Sequence, residues 1–334
     1  MKRTFSHTLL VLAALSISVA GCGSSDSDDP AASAVASTSP TADSTSPTAD
    51  STSPPVDSSA AAVDSTTPAT DTASSVDEST GDSASEATDA APAVTELADG
   101  PISVIALGDS LTYGEGDEAG LGGFVGRLTE SINAVPDRSG STLTNFGISG
   151  WHSTGMVEGQ DGSPSELGAA VPEVEAAVAA GRAVLATVLI GSNDLWYLYE
   201  YPAEDTSTAD EDAAAEVYRN NLERTVRELS QAGALVVLGL PDDQSLRPCS
   251  VDLDYLHNYL PNITAEEIQQ MSAMSTRLAG IVEEVAAEHG LRTVDTNGAF
   301  WADRSKMAED LIHPNGDGYA ELADLWLPAI QDLL

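Results

Sequence analysis

The chain has 334 residues, 53 of them acidic and 13 basic, so its formal net charge at pH 7 is −40. Residues 1–100 hold 15 acidic and 2 basic side chains, which leaves 38 acidic and 11 basic side chains, a net charge of −27, for residues 101–334. A surface with this charge repels nucleic acids and anionic lipids, and we exclude both as direct binding partners.

The first 21 residues have the features of a bacterial export signal. Lys2 and Arg3 precede an apolar stretch, Leu9 to Ala20, that is too short to span a bilayer as a helix. The Val-Ala-Gly sequence before Cys22 resembles the lipobox, after which bacterial lipoproteins are lipidated on the cysteine. We therefore predict an exported protein that is attached by a lipid on Cys22 to the outer membrane or the cell surface. The alternative is ordinary signal cleavage, with Cys22 incidental.

Residues 22–100 are predicted to be a linker between this anchor and a folded domain. After Cys22 the segment is rich in Ser, Thr, Ala, Asp and Pro and contains no aromatic or basic residue. Such a composition cannot bury enough apolar surface to fold, so we expect an extended, solvated chain. Residues 101–334 suffice for one compact domain. Its cysteine, Cys249, then lacks a partner within the chain, and we expect a buried, inert thiol rather than an intermolecular link.

Within the domain, short apolar segments alternate with helical patterns. Strands buried on both faces are typical of a sheet covered by helices, and strands separated by helices are typical of parallel pairing. The sequence therefore predicts an α/β fold, a three-layer αβα sandwich around a five-stranded parallel sheet. The predicted strands are 102–107, 142–146, 184–190, 235–240 and 291–294, and the predicted helices are about 122–134, 165–180, 211–232, 264–289 and 316–333.

Two of the predicted helices begin with capping patterns. Ser163-Pro164-Ser165-Glu166 combines a cap, a first-turn proline and a reciprocating glutamate, which predicts Ser163 as the N-cap. Thr264 and Glu267 have the same spacing at the start of a later helix. These patterns support helices that start at about residues 165 and 264.

Polar and glycine-rich motifs follow the first three predicted strands. Ser110 follows the first strand, Gly147 to Gly150 follow the second, and Asn193 follows the third. Because ligands bind beyond the carboxyl ends of strands in such sheets, we expect these motifs to form one site. A fourth motif, Asp310-Leu311-Ile312-His313-Pro314, places a carboxylate and an imidazole one turn apart. A serine nucleophile needs a base, and that base needs an acidic group that orients it.

Taken together and in this order, the four motifs resemble the four blocks of the SGNH (GDSL-type) hydrolases, over about residues 101–334. The blocks match at Gly108-Asp109-Ser110-Leu111-Thr112, at Asn145-Phe146-Gly147-Ile148-Ser149-Gly150, at Gly191-Ser192-Asn193-Asp194 and at Asp310-Leu311-Ile312-His313-Pro314-Asn315. The chain contains no Gly-x-Ser-x-Gly nucleophile elbow, which argues against the α/β-hydrolase plan. The resemblance implies the flavodoxin-like SGNH form of the predicted fold.

The resemblance also implies a role for each block. Ser110 is the expected nucleophile, His313 its base, and Asp310 the group that orients His313. The backbone N–H groups of Ser110 and Gly150 and the side-chain amide of Asn193 are the expected oxyanion hole, with Gly147 as the alternative to Gly150. No metal or organic cofactor is required.

Several other residues near these motifs allow two interpretations. His152 either lines the pocket or lies on the surface. Asp109 and Asp194 are expected to brace the loops that carry their neighbours. Four aromatic residues after Asn193 either form a wall for an acyl chain or a sugar, or pack in an ordinary way: Trp196, Tyr197, Tyr199 and Tyr201.

We therefore predict a monomeric carboxylic-ester hydrolase that acts on small-molecule, lipid or lysolipid esters. The segment from Asp242 to Pro261 contains few apolar residues, which slightly disfavours long acyl chains. Removal of O-acetyl groups from polysaccharides is the alternative within the same class. A surface binding module that has this fold without turnover is the alternative of another class.

Overall fold

The computed structural model describes residues 95–160, 162–202 and 206–334. Within them, five strands form one parallel sheet in the order β2-β1-β3-β4-β5. The strands are β1 (Ile102–Gly108), β2 (Thr142–Asn145), β3 (Ala183–Leu189), β4 (Leu235–Leu240) and β5 (Arg292–Asp295). The predicted signal peptide, Cys22 and the linker up to residue 94 lie outside the described residues.

Helices cover both faces of the sheet. They are α1 (Ser110–Tyr113), α2 (Gly123–Asn133), α3 (Ser153–Glu158), α4 (Glu166–Ala179), α5 (Ser192–Glu200), α6 (Thr208–Ala232), α7 (Pro248–Val251), α8 (Leu253–Leu256), α9 (Ala265–His289) and α10 (Gly316–Ile330). α2 packs against α10, and α6 packs against both α4 and α9, which is the division between the two faces that right-handed crossovers produce in this strand order. The predicted three-layer α/β fold is confirmed.

Burial separates the central strands from the edge strands. Every residue of β1 and β4 is buried, and so is nearly all of β3, because helices cover these strands on both faces. The edge strand β2 is polar and largely exposed. β2 and β3 lie on opposite sides of β1 in the sheet, so the direction in which strands are added reverses at β1. The topological switch point therefore lies between the carboxyl ends of β1 and β3. Ligands of doubly wound sheets bind at this position.

Packing of the domain begins a few residues before Pro101. Leu97 is buried in the core, and the buried Arg138 donates hydrogen bonds to the carbonyls of Ala98 and Gly100. The same guanidinium reaches the carbonyls of Leu333 and Leu334 at 3.0 and 3.1 Å. No helix among the described residues has the length and apolarity needed to cross a bilayer.

One of the two capping predictions is wrong. Ser165, not Ser163, is the N-cap of α4, and its Oγ accepts a hydrogen bond of 2.9 Å from the Gly168 N–H. Ser163 instead closes a turn, since its N–H donates to the Gln160 carbonyl at 2.8 Å. Glu166 is therefore the first residue of the helix and cannot reciprocate the cap.

The other capping prediction is confirmed. Thr264 caps α9, and the Glu267 carboxylate accepts from the Thr264 N–H at 2.9 Å. A capping box that the sequence analysis missed starts α6, with Ser207 as N-cap and Asp210 as its partner. This box explains why α6 begins three residues before the predicted residue 211.

Candidate active site

The structure brings together the three side chains predicted to act on an ester. His313 Nε2 lies 2.9 Å from Ser110 Oγ, and His313 Nδ1 lies 2.6 Å from Asp310 Oδ2. A carboxylate only accepts hydrogen bonds, so the Nδ1 proton points to Asp310 and leaves Nε2 as the acceptor for the Ser110 hydroxyl. The imidazole thus has the tautomer that a general base requires.

The sheet positions the nucleophile directly. Ser110 is the first residue of α1, which starts as soon as β1 ends, and the Asp109 carboxylate caps that turn by accepting from the Leu111 N–H at 3.0 Å. Asp109 therefore braces its loop as expected. Complete burial raises its pKa to about 6, against the opposing effects of the Leu111 N–H and the Arg247 charge.

The acid and base share one short loop. Asp310 Oδ1 accepts from the Ile312 and His313 N–H groups at 2.9 and 3.0 Å, while Oδ2 faces the imidazole. Burial opposes ionisation of Asp310, but the hydrogen bond and the charge of His313, together with the two N–H groups, hold its pKa below the usual value. Asp310 is therefore a carboxylate at neutral pH and can stabilise an imidazolium.

The structure distinguishes the two glycines considered for the oxyanion hole. The Gly147 N–H donates to Asn145 Oδ1 at 2.9 Å and is already used. A Cβ on Gly147 would lie 2.6 Å from the Tyr113 nitrogen, so close packing explains this glycine. Among the described residues, the N–H groups of Ser110 and Gly150 have no hydrogen-bond acceptor. Both remain available to a ligand, which favours Gly150 over Gly147.

Asn193 lies in the first turn of α5, after β3, and its side chain reaches the loop that carries Gly150. Its Nδ2 donates to the Trp151 carbonyl at 2.8 Å, and the amide has a second hydrogen. The next residue, Asp194, accepts from the Ser153 N–H and hydroxyl at 2.9 and 2.6 Å. Asp194 thus braces its loop as expected, and burial raises its pKa although Ser153 opposes the shift.

Glu166 is part of the site's support and was missed by the sequence analysis. Its side chain is only 2% exposed, and Oε2 accepts a 2.8 Å hydrogen bond from the Gly108 N–H, two residues before the nucleophile. Burial raises its pKa to about 9, so the carboxyl is neutral at pH 7. Gly108 cannot be replaced, because a Cβ there would lie 1.9 Å from the Leu189 carbonyl oxygen. No local pattern indicates this contact across 58 residues.

The ambiguous aromatic residues divide into two groups. Trp196 and Tyr199 are buried in the core, as ordinary packing predicts. The Tyr197 hydroxyl donates to the Gly150 carbonyl at 3.0 Å, and its ring packs 5.2 Å from that of Tyr201, which is 59% exposed. His152 was expected either to line the pocket or to lie on the surface. It is partly buried and is the N-cap of α3, where its Nδ1 accepts a hydrogen bond from the Gly155 N–H at 3.3 Å.

Cys249 is buried, as expected for an inert thiol, and burial raises its pKa. A surface cavity of about 660 Å³ is lined on one side by residues from the segment 246–254, which includes Cys249. Ala302 and Arg304 line its other side. Ser110 and His313 do not line this cavity. Within the described ranges, no three His, Cys, Asp or Glu side chains are grouped in a way that could hold a metal ion.

Comparison with known proteins assigns the family. The sequence pattern described as the GDSL-like Lipase/Acylhydrolase family matches residues 106–321. The chain belongs to this family. The match contains every residue of the proposed triad and oxyanion hole.

Similar proteins include one curated bacterial relative and several solved structures. The chain is 25% identical over 235 residues to the uncharacterized protein YpmR of Bacillus subtilis (strain 168), covering 69% of this chain and 82% of that relative. It is 20% identical to the acetylxylan esterase Axe2 from Geobacillus stearothermophilus, with a TM-score of 0.43 and coverage of 69% and 95%. It is also 20% identical to LAE5, an α/β hydrolase enzyme from the metagenome of Lake Arreo, Spain, with a TM-score of 0.45 and coverage of 70% and 97%.

Proposed function

We propose that this protein is a serine hydrolase that cleaves carboxylic esters through an acyl-enzyme. The contact between Ser110 Oγ and His313 Nε2, at 2.9 Å, carries the proposal, because it joins a nucleophile to a base already oriented by Asp310. Membership in the acylhydrolase family supports the same reaction class. The binding-module alternative leaves this preorganised contact without a use.

Acylation begins when Ser110 Oγ attacks the ester carbonyl carbon and His313 Nε2 takes the hydroxyl proton. Asp310 stabilises the imidazolium that results. The negative charge on the carbonyl oxygen is stabilised by the N–H groups of Ser110 and Gly150 and by the Asn193 amide. Collapse of the tetrahedral intermediate breaks the bond to the alcohol, which leaves with the proton from His313.

Deacylation uses the same groups with water in place of serine. His313 Nε2 takes a proton from water as its oxygen attacks the acyl carbon, and the same oxyanion donors stabilise the second intermediate. Ser110 leaves and regains its proton from His313, releasing the carboxylic acid. Because His313 must be neutral to act, kcat/KM falls on acidification.

Turnover of p-nitrophenyl acetate tests the proposed function. We expect the purified wild-type protein to hydrolyse it and Ser110→Ala to lose about 10⁴-fold or more of kcat. Ser131→Ala, which removes a hydroxyl from the surface of α2, is the matched control and keeps wild-type rates. Equal rates for wild type and Ser110→Ala reject the enzyme and favour the binding module.

A glycan O-acetyl ester is the second candidate substrate. Tyr201 exposes an aromatic ring beside Tyr197, whose hydroxyl contacts the Gly150 carbonyl. An exposed ring beside a residue that contacts the Gly150 loop supports a substrate with a broad face, such as a sugar. We expect Tyr201→Ala to lower kcat/KM for acetylated xylan and to leave kcat/KM for p-nitrophenyl acetate at the wild-type value. Val217→Ala, which truncates an exposed apolar side chain on α6, is the control. Equal effects on both substrates favour a lipid or small-alcohol ester.

We also propose that the protein is exported and attached to the cell envelope by a lipid on Cys22. The charged start, the short apolar stretch and the lipobox-like sequence support this proposal. Mass spectrometry of the mature N-terminus should find a lipidated Cys22, and Cys22→Ser should release the protein from the membrane fraction. An unmodified N-terminus on a protein that stays in the membrane fraction contradicts lipid attachment.

A further inference from the structure

The loop that carries the acid and the base has an unusual backbone. Leu311, between Asp310 and His313, has φ +58°, the one positive φ at a non-glycine among the described residues. A leucine in this region is uncommon and is retained only where the surroundings hold it. The position of the imidazole therefore depends on contacts that keep the loop in this conformation.

One neighbouring segment supplies three of those contacts. Arg247 Nη1 donates to the Ile312 carbonyl at 2.9 Å. The Cys249 N–H, in α7, donates to the Leu311 carbonyl at 3.3 Å. The Tyr255 hydroxyl, in α8, donates to the Glu309 carbonyl at 2.7 Å. Of the three, only the Arg247 contact comes from a charged group, and it lies next to the base.

Arg247 is itself fixed in place. Both it and Asp242 have 1% of their side chain exposed, and they form a two-point ion pair, Nε to Oδ2 at 3.1 Å and Nη2 to Oδ1 at 2.9 Å. The guanidinium carbon lies 4.5 Å from the centre of the Trp301 ring. The planar guanidinium is thus held in one orientation, in which its other terminal nitrogen, Nη1, faces the Ile312 carbonyl of the loop that carries His313.

The same ion pair reaches the oxyanion side of the site. Gln244 Nε2 donates to Asp242 Oδ1 at 2.9 Å and to Ser192 Oγ at 3.2 Å, and Ser192 precedes Asn193. Removing two charges from water has a large cost, and well-packed apolar residues often replace such pairs without loss of stability. A contribution to stability therefore does not explain why this ion pair is present. Its contacts do, because Arg247 reaches the loop of the base and Asp242 reaches Ser192 through Gln244.

We propose that Arg247, oriented by Asp242 and Trp301, is a positioning residue that holds the Leu311–Ile312 backbone so that His313 stays within hydrogen-bond distance of Ser110. It acts through the loop and does not touch the substrate. The inference rests on the proposed ester hydrolysis. A displacement of the base by about 1 Å can lower the rate about 100-fold, so we expect a loss of about 10- to 100-fold in kcat when the contact is removed.

The test compares four variants with p-nitrophenyl acetate, at a temperature below the lowest melting temperature of the set. Arg247→Met removes the contact, and Arg247→Lys restores one donor. Asp242→Leu combined with Arg247→Met replaces the pair by apolar residues and avoids an unpaired buried charge. The matched control is Arg138→Met, another buried arginine that donates to carbonyls, at the opposite edge of the sheet.

We expect Arg247→Met and the double variant to lose kcat with KM changed by less than about twofold, since the contact orients the base and not the substrate. The double variant should melt within a few degrees of wild type, and Arg247→Lys should recover part of kcat. Arg138→Met should lower the melting temperature and leave kcat unchanged. The rate at which a fluorophosphonate labels Ser110 should fall in parallel with kcat.

Two outcomes overturn the inference: wild-type kcat in the double variant, or a loss of kcat in Arg138→Met equal to that in Arg247→Met. Failure of the proposed function looks different. In that case wild type and Ser110→Ala turn over equally, and no Arg247 variant changes the rate.

Discussion

Ser110 and His313 meet at 2.9 Å, but the two backbones that carry them are built differently. Ser110 lies at the end of a fully buried strand, in a regular helical turn capped by Asp109. His313 lies in a loop with a left-handed leucine, held by contacts from the segment after β4. The nucleophile is thus positioned by the sheet, and the base by contacts that a neighbouring segment makes to its loop. The two sides should respond differently to substitution.

The two sides also differ in the state of their carboxyl groups. Behind the nucleophile, Glu166 has a pKa raised to about 9 and is neutral at pH 7. Beside the base, Asp310 has a pKa below its usual value and is ionised. Asp310 therefore places a negative charge where the imidazolium forms, whereas the buried Glu166 adds none behind the nucleophile. Environments that separate two carboxyl groups in this way are typical of sites that assign them different roles.

Among substitutions outside the nucleophile itself, the largest effect is expected on the loop side. Asp310→Asn retains the shape of the side chain, but its amide favours the wrong imidazole tautomer, so kcat should fall about 10⁴-fold. The fold should survive, because the sheet does not depend on this loop. Steady-state kinetics and a melting curve test both statements. A variant with near wild-type kcat would remove Asp310 from the triad.

A smaller loss is expected at the strand end that carries Asn193. Asn193→Ala removes one oxyanion donor and should lower kcat about 100- to 1000-fold with little change in KM. Asn258→Ala, an exposed amide in the segment after α8, should have no effect. If KM rises and kcat holds, Asn193 binds the substrate and does not stabilise the transition state.

The buried carboxyl behind the nucleophile should make stability depend on pH. Between about pH 4.5 and 9 the unfolded chain loses the Glu166 proton while the folded protein keeps it, so the free energy of unfolding falls as pH rises. The slope reaches about 1.4 kcal/mol per pH unit for one group. Urea unfolding at pH 5 and pH 8, at fixed salt, should show this loss in wild type. Glu166→Gln should show a smaller loss, and identical slopes would mean that Glu166 ionises in the folded protein.

The smallest effect tests the corrected helix cap that brings Glu166 to Gly108. Ser165→Ala should lower the free energy of unfolding by about 1 kcal/mol, because the Gly168 N–H loses its acceptor. Ser163→Ala should change it by a few tenths at most. Urea unfolding of the two variants measures both changes. A larger loss of stability in Ser163→Ala than in Ser165→Ala would identify Ser163 as the cap.

The features that could be predicted from the sequence are mainly those at the ends of strands, and those that could not are contacts between distant segments. Strand ends depend on local apolar patterns, so the positions of Ser110 and Asn193 could be predicted before any family resemblance was considered. The roles of Gly150 and the Asp310–His313 pair depended on that resemblance. The Glu166 contact with Gly108 spans 58 residues and the Arg247 contact with Ile312 spans 65. No local pattern indicates such pairs, because only packing of the complete fold brings them together.

The Arg138 contacts show where the domain can be held. Arg138 gathers the carbonyls of Ala98 and Gly100 with those of Leu333 and Leu334, at the edge of the sheet where β1 and β2 begin. Ser110 lies at the other edge, about 20 Å away for a strand of this length. A support or fusion partner joined before residue 95 or after Leu334 therefore leaves the substrate's approach to the serine open. Immobilised preparations should keep their turnover with either attachment.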